Sequence, residues 1–154
     1  MKRIVFVLTL GALVLMTAGV AAAKEFNCNK ERPNSCSGTP DRDIIHGNNQ
    51  DNKIYGGRGN DVIGGEGGDD LIYGNRGNDD LYGGDGDDYL DGGPGADELY
   101  DQSPNDRDYL YGGDGDDYLN ALDGDDRDLL RGAGGYDSCV GDSDDRYASC
   151  EERN

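Results

Sequence analysis

Aspartate recurs at a nine-residue spacing through most of this chain. Asp61, Asp70, Asp79, Asp88 and Asp97 follow one another without a gap, Asp43 precedes them, and Asp108, Asp117, Asp128 and Asp137 follow. Asn52 takes the place of an Asp early in the series. A fixed short period implies a fold built by stacking one small unit, so acids at the same point of each unit come to lie above one another. Between adjacent strands of a sheet that separation is about 4.8 Å. Carboxylates held so close repel strongly unless cations sit among them. The donors on offer are carboxylate and main-chain carbonyl oxygens, which suit a hard cation with a flexible oxygen shell. Calcium fits that set best, and magnesium fits less well because it demands near-octahedral geometry. Zinc is disfavoured, since the acidic segments carry neither thiolates nor imidazoles.

The unit that positions these acids is clearest at residues 56–64, GGRGNDVIG, and 83–91, GGDGDDYLD. Counted in nines from Gly38, the acid is the sixth residue. The eighth is aliphatic in Ile45, Ile54, Ile63, Ile72, Leu81, Leu90 and Leu99. After a two-residue insertion the frame resumes at Leu110 and Leu119, and after a second it gives Leu130 and then Cys139. Residues seven to nine alternate in direction, so the eighth faces inward while its neighbours face out. A three-residue strand is too short alone, but strands of successive turns can pair in parallel. Glycine at the first, second and fourth positions lets the other half reverse the chain. Two units then complete one turn of a flattened spiral. The expected architecture is all-β: a parallel β-roll, or β-helix solenoid, with two short-strand sheets and an aliphatic core one residue thick.

These residues resemble the hemolysin-type calcium-binding repeat, the RTX nonapeptide GGxGxDxUx with U a large apolar residue. The matches are GGRGND at Gly56, GGDGDD at Gly83 and Gly112, and GGPGAD at Gly92, while GEGGDD at Gly65 and GNRGND at Gly74 each miss one glycine. The resemblance implies calcium ions held between loops of repeats n and n+2. It assigns the ligands to the sixth-position acids Asp61, Asp70, Asp79, Asp88, Asp97, Asp117 and Asp137, with Asp43, Asp108 and Asp128 as second-rank candidates. Loop carbonyls complete the set: Gly56, Gly57, Gly59, Gly74, Gly77, Gly83, Gly84, Gly86, Gly92, Gly93, Gly95, Gly112, Gly113 and Gly115. Many proteins of that family leave the cell through a C-terminal signal and largely lack cysteine. This chain departs on both counts, so that export route is not carried over, and no toxin or protease activity transfers either.

Lys2 and Arg3, the apolar run Ile4–Val20 and Ala21–Ala23 read as a cleaved secretory signal over residues 1–23, with an uncleaved anchor as the alternative. The expected destination is extracellular. Without Lys2 and Arg3 the chain has 12 basic against 33 acidic residues. That charge repels nucleic acid and anionic membranes. With no Trp and few aliphatics, composition alone points to disorder unless the acids are neutralised. Cys28, Cys36, Cys139 and Cys150 flank the repeats. Three connectivities are open, and pairing within each end is the geometrically easy one. The expected layout is an N-terminal cap over 24–37, the roll over 38–140, and a C-terminal cap over 141–154.

The loops are unequal. Those at Gly56, Gly74, Gly92, Gly112 and Gly132 keep both the fourth-position Gly and the acid, which predicts one calcium-rich edge. On the other edge GNNQDN at Gly47 lacks both, and the loops ending at Asp108 and Asp128 carry the insertions. Arg107 and Arg127 either replace a cation by pairing with carboxylates or are solvated. Outward positions of one sheet form a stripe of Tyr55, Leu71, Tyr73, Tyr89, Tyr109, Tyr111 and Leu129, while Asp80, Glu98 and Asn120 make the other sheet more polar. Tyrosine is a good strand residue, and such a stripe also suits self-association or a surface partner. His46 stands alone as the histidine, and no nucleophile has a plausible partner, so catalysis is not expected. Two expectations remain: a secreted protein binding several calcium ions and folding on them, or an adhesion or matrix component using the tyrosine face.

Overall fold

The computed structural model describes residues 22–28, 34–124 and 127–153. The segment read as a signal lies outside them up to residue 21. Alternate strands go to two parallel sheets. The first holds β1 (Lys24–Asn27), β3 (Asp43–Asn49), β5 (Val62–Gly67), β7 (Asp80–Asp85), β9 (Glu98–Tyr100), β11 (Tyr118–Ala121), β13 (Ser138–Gly141) and β15 (Glu152–Arg153), in that order. The second holds β2 (Ser35–Ser37), β4 (Lys53–Arg58), β6 (Leu71–Arg76), β8 (Tyr89–Pro94), β10 (Tyr109–Asp114), β12 (Leu129–Gly134) and β14 (Arg146–Ala148). The parallel β-roll expected from the repeat is therefore the fold.

Register follows the period. In the first sheet Ile45, Ile63, Leu81, Leu99, Leu119 and Cys139 stand in one column. In the second, Ile54, Ile72, Leu90, Leu110 and Leu130 do the same. All of these are fully buried, so the two columns meet in a thin apolar seam. The terminal segments continue it: Phe26 extends the first column, Cys36 and Tyr147 the second, and all three pack partly buried against the core. Disulfides join Cys28 to Cys36 and Cys139 to Cys150, with Cα atoms 5.5 and 5.9 Å apart, one near each end.

Strand length differs from expectation. Most repeat strands run six residues, from the seventh position through the third of the next unit, so extended backbone enters the glycine half. The second position already turns left-handed within the strand, as at Gly57 (φ 115°), and the fourth-position glycine does so again, as at Gly59 (φ 113°) and Gly77 (φ 129°). A Cβ at Gly77 would run into the carbonyl of Gly59 on the turn below, so no other residue fits there without moving backbone.

The outward faces also differ. In the second sheet Tyr55 stacks on Tyr73 at 5.2 Å between centroids and Tyr89 on Tyr109 at 5.0 Å, as the stripe predicts. Lys53 and Arg131 cover rings at its two ends. The first sheet carries a second ladder that the expectation of a polar face overlooked. Tyr82 stacks on Tyr100 at 5.2 Å, and Tyr100 lies 5.7 Å from Tyr118. Tyr82 and Tyr100 are direct cross-strand neighbours, whereas Tyr118 stands opposite Glu98 and meets Tyr100 diagonally, its ring tilted by 53°.

Candidate metal centre

Each turn delivers its acids into two columns, one along each edge of the roll. Ahead of the first sheet stand Asp43, Asp61, Asp79, Asp97, Asp117 and Asp137, and ahead of the second stand Asn52, Asp70, Asp88, Asp108 and Asp128. All are buried, at 3 % exposure or less. The fold forces this burial, because the sixth-position side chain points the same way as the core residue two places on.

The two oxygens of each carboxylate have different fates. One, Oδ1, accepts the main-chain N–H of the acid one turn earlier: Asp61 N–H donates to Asp79 at 2.7 Å, Asp79 to Asp97 at 2.8 Å, Asp97 to Asp117 at 2.9 Å and Asp117 to Asp137 at 3.0 Å. On the other edge Asn52 donates to Asp70 at 2.6 Å, Asp70 to Asp88 at 2.7 Å, and Asp88 to Asp108 at 2.9 Å. Glu151 and Asp145 end the two ladders by accepting from Asp137 and Asp128. Sequence reasoning assigned neither, because both lie past the last recognisable unit.

The other oxygen, Oδ2, has no hydrogen-bond partner in Asp61, Asp70, Asp79, Asp88, Asp97, Asp108, Asp117 and Asp137. An unpartnered buried oxygen is costly, and five in register along one edge with three along the other call for positive partners. Asp43 shows the contrast. Its Oδ2 accepts the Thr39 N–H at 2.5 Å and the Thr39 hydroxyl at 2.9 Å, so the first turn satisfies its own acid.

The glycines keep the surrounding space open. A Cβ at Gly56 would lie 2.6 Å from Asp61 Oδ2 and 2.6 Å from the carbonyl oxygen of Gly74, and a Cβ at Gly92 would lie 2.5 Å from Asp97 Oδ2 and 2.6 Å from that of Gly112. Further out, Gly57, Gly84, Gly86 and Gly95 face the carbonyls of Thr39, Glu66, Gly68 and Gly77. Carbonyl oxygens thus stack turn over turn along the loops, beside the carboxylate columns. Where Gly is missing at the second position, Glu66 (φ 82°) and Asn75 (φ 74°) still take the left-handed conformation, so these loops keep the same path. The donor set is oxygen only, which fits calcium and leaves no ligand suited to a soft metal.

Burial sets the charge state. It pushes Asp61, Asp70, Asp79 and Asp117 up to about 6, and Asp88 and Asp97 up to about 7, against the relief from the bonded N–H and with further pressure from like charges. Asp101 and Asp108 are raised further by burial and by facing acids. A bound cation favours the ionised form, so loading the columns would release protons.

The structure bears on the two readings left open for the inserted arginines. Arg107 engages Asp87 through its main-chain N–H at 2.9 Å, and Arg127 Nη1 donates to the Asn105 carbonyl at 3.0 Å. Neither guanidinium makes an ion pair with a carboxylate among the described residues, so the cation-replacement reading has no support. The same edge also carries a close group of three acids among the described residues. Oxygens of Asp88, Asp101 and Asp108 all lie within 4.8 Å of one another. Asp101 escaped the sequence reading because the insertion breaks the frame around it.

The family model for the RTX calcium-binding nonapeptide repeat (four copies) matches residues 37–72, 64–99 and 105–128, more than half of the chain. Searches of curated proteins and of solved structures return no significant match.

Proposed function

Because the chain belongs to the RTX calcium-binding nonapeptide repeat family, we propose that it is a secreted protein that binds several calcium ions along both edges of its roll and orders on binding them. The observation that carries this reading is the register of unpartnered, buried Oδ2 atoms beside stacked loop carbonyls. Ligands would come from the sixth-position acids and from carbonyls of the second and fourth loop positions. Bound calcium supplies the positive charge that lets adjacent carboxylates ionise together. The chain's own part is to hold Oδ1 on the neighbouring N–H, which aims Oδ2 at the ion. The N-terminal apolar segment and the disulfides support an extracellular route, where free calcium is abundant. Repeats of this family are typically calcium-binding rather than catalytic, and His46 is engaged with Glu66 at 3.3 Å on the surface.

Equilibrium dialysis with radioactive calcium should find several ions per chain. Replacing Asp79 and Asp97 by Asn, which keeps shape and removes charge, should lower the count by at least one. A chain that binds no calcium near neutral pH contradicts the reading.

The two tyrosine ladders favour a second role, contact with a surface partner or another copy. On the first sheet Tyr82, at 45 % exposure, and Tyr100 line a cleft with Ser103 and Pro104. Substituting Ser for Tyr73, Tyr89, Tyr109 and Tyr111 is expected to leave the calcium count unchanged and to abolish any self-association seen by sedimentation. Unaltered association would assign these four tyrosines to strand formation alone.

A further inference from the structure

The first position of a unit is glycine at Gly56, Gly65, Gly74, Gly83, Gly92, Gly112 and Gly132, and alanine at Ala121. At the first insertion it is Asp101. The residue keeps its place in the ladder, since its N–H donates to the Asn120 carbonyl at 2.9 Å. Strand alternation then sends its side chain to the core side, where it is 2 % exposed. Its carboxylate lies over Gly83, and a Cβ at Gly83 would collide with Asp101 Oδ2. The room for this acid thus exists because the turn beneath has no side chain.

We propose that Asp101 joins Asp88 and Asp108 and turns the repeat position between these two acids into a three-carboxylate cation site, tighter than the other repeat sites. Each acid has one oxygen tethered: Asp88 Oδ1 accepts from Asp70 N–H at 2.7 Å, Asp108 Oδ1 from Asp88 N–H at 2.9 Å, and Asp101 Oδ1 from the Ser103 hydroxyl at 3.2 Å. The other oxygen of each is without a hydrogen-bond partner, and all three residues are at least nine-tenths buried. The two-residue insertion closes the site from outside. The single Ser103 hydroxyl proton is shared with Asp106 Oδ2, the nearer acceptor at 2.7 Å, and that oxygen accepts the Gly86 N–H at 3.1 Å, tying the inserted loop to the one below. A repeat site draws its charge from sixth-position acids alone. This one adds a third carboxylate and an enclosing loop, and affinity for calcium rises with ligand charge and site rigidity. The site rests on the calcium reading only for the identity of its ion.

Calorimetric titration of the purified chain with calcium tests it, comparing wild type with Asp101→Asn and with Asp101→Gly, which restores the residue the other loops carry. In wild type, one equivalent should bind more tightly than the rest. Both variants should lose that equivalent, or bind it roughly tenfold or more weakly as one carboxylate is removed, and keep the remaining stoichiometry. Circular dichroism in saturating calcium should show both variants folded. Unchanged isotherms overturn the site and leave the calcium reading standing, as expected if the three acids merely share protons. Absence of binding in all three chains overturns both.

Discussion

Withdrawing calcium near neutral pH is expected to cost the chain both sheets and expand it to an unfolded coil. An eighteen-residue turn buries two aliphatic side chains in the seam, Leu81 and Leu90 in one case, and little else that is apolar. The same turn buries the acids Asp79 and Asp88, each with an oxygen that the protein leaves unbonded. Removing the ions leaves those charges facing one another at sheet spacing, and the core is too thin to hold them together. For the segment from residue 24 onward the radius of gyration should rise from roughly 15 Å towards roughly 35 Å. Small-angle scattering with and without chelator measures it directly. An unchanged radius would mean that the ladder of N–H to Oδ1 bonds suffices on its own.

The second expected result is that the pH dependence of stability reverses sign with calcium. In metal-free buffer the folded-state acids are raised to about 6 or 7, chiefly by burial, above their ordinary value near 3.8. The folded chain then holds more protons than the unfolded one across that interval. Its stability is greatest below about pH 4 and falls as pH rises towards 7. With calcium bound the carboxylates are ionised and their folded values are depressed. Stability is then present at neutral pH and lost as acid displaces the ions. Thermal melts from pH 4 to 7.5 in metal-free and calcium-saturated buffer should slope in opposite directions. Parallel slopes would show that the acids do not face the ions.

Much of this was legible in the chain because its period is short. Once nine residues set the step, the inward column from Ile45 to Cys139 and the acids two places before it follow from strand alternation alone. Other features depend on three-dimensional detail that spacing does not encode. That Asp97 spends one oxygen on the Asp79 N–H requires knowing how the peptide at the corner is turned. The Tyr82, Tyr100 and Tyr118 ladder was hidden because Asp80 and Glu98 share its face, and average polarity masks a column. Arg107 looked like a cation substitute by charge, yet its loop uses the main chain instead. Asp101 sat where the frame was interrupted, and only the structure shows that it replaces a glycine and turns inward. Thr39 is the reverse case: a residue that gives the Asp43 carboxylate hydrogen-bond donors from within its own turn.

The central claim is that cations between stacked acidic corners hold this roll together. Far-ultraviolet circular dichroism of the purified chain, first in excess chelator and then with calcium restored, tests it most directly. The account predicts a disordered spectrum in chelator near neutral pH that converts to a β spectrum on adding calcium and reverts when the ion is removed. A β spectrum that is the same in chelator and in calcium would contradict it.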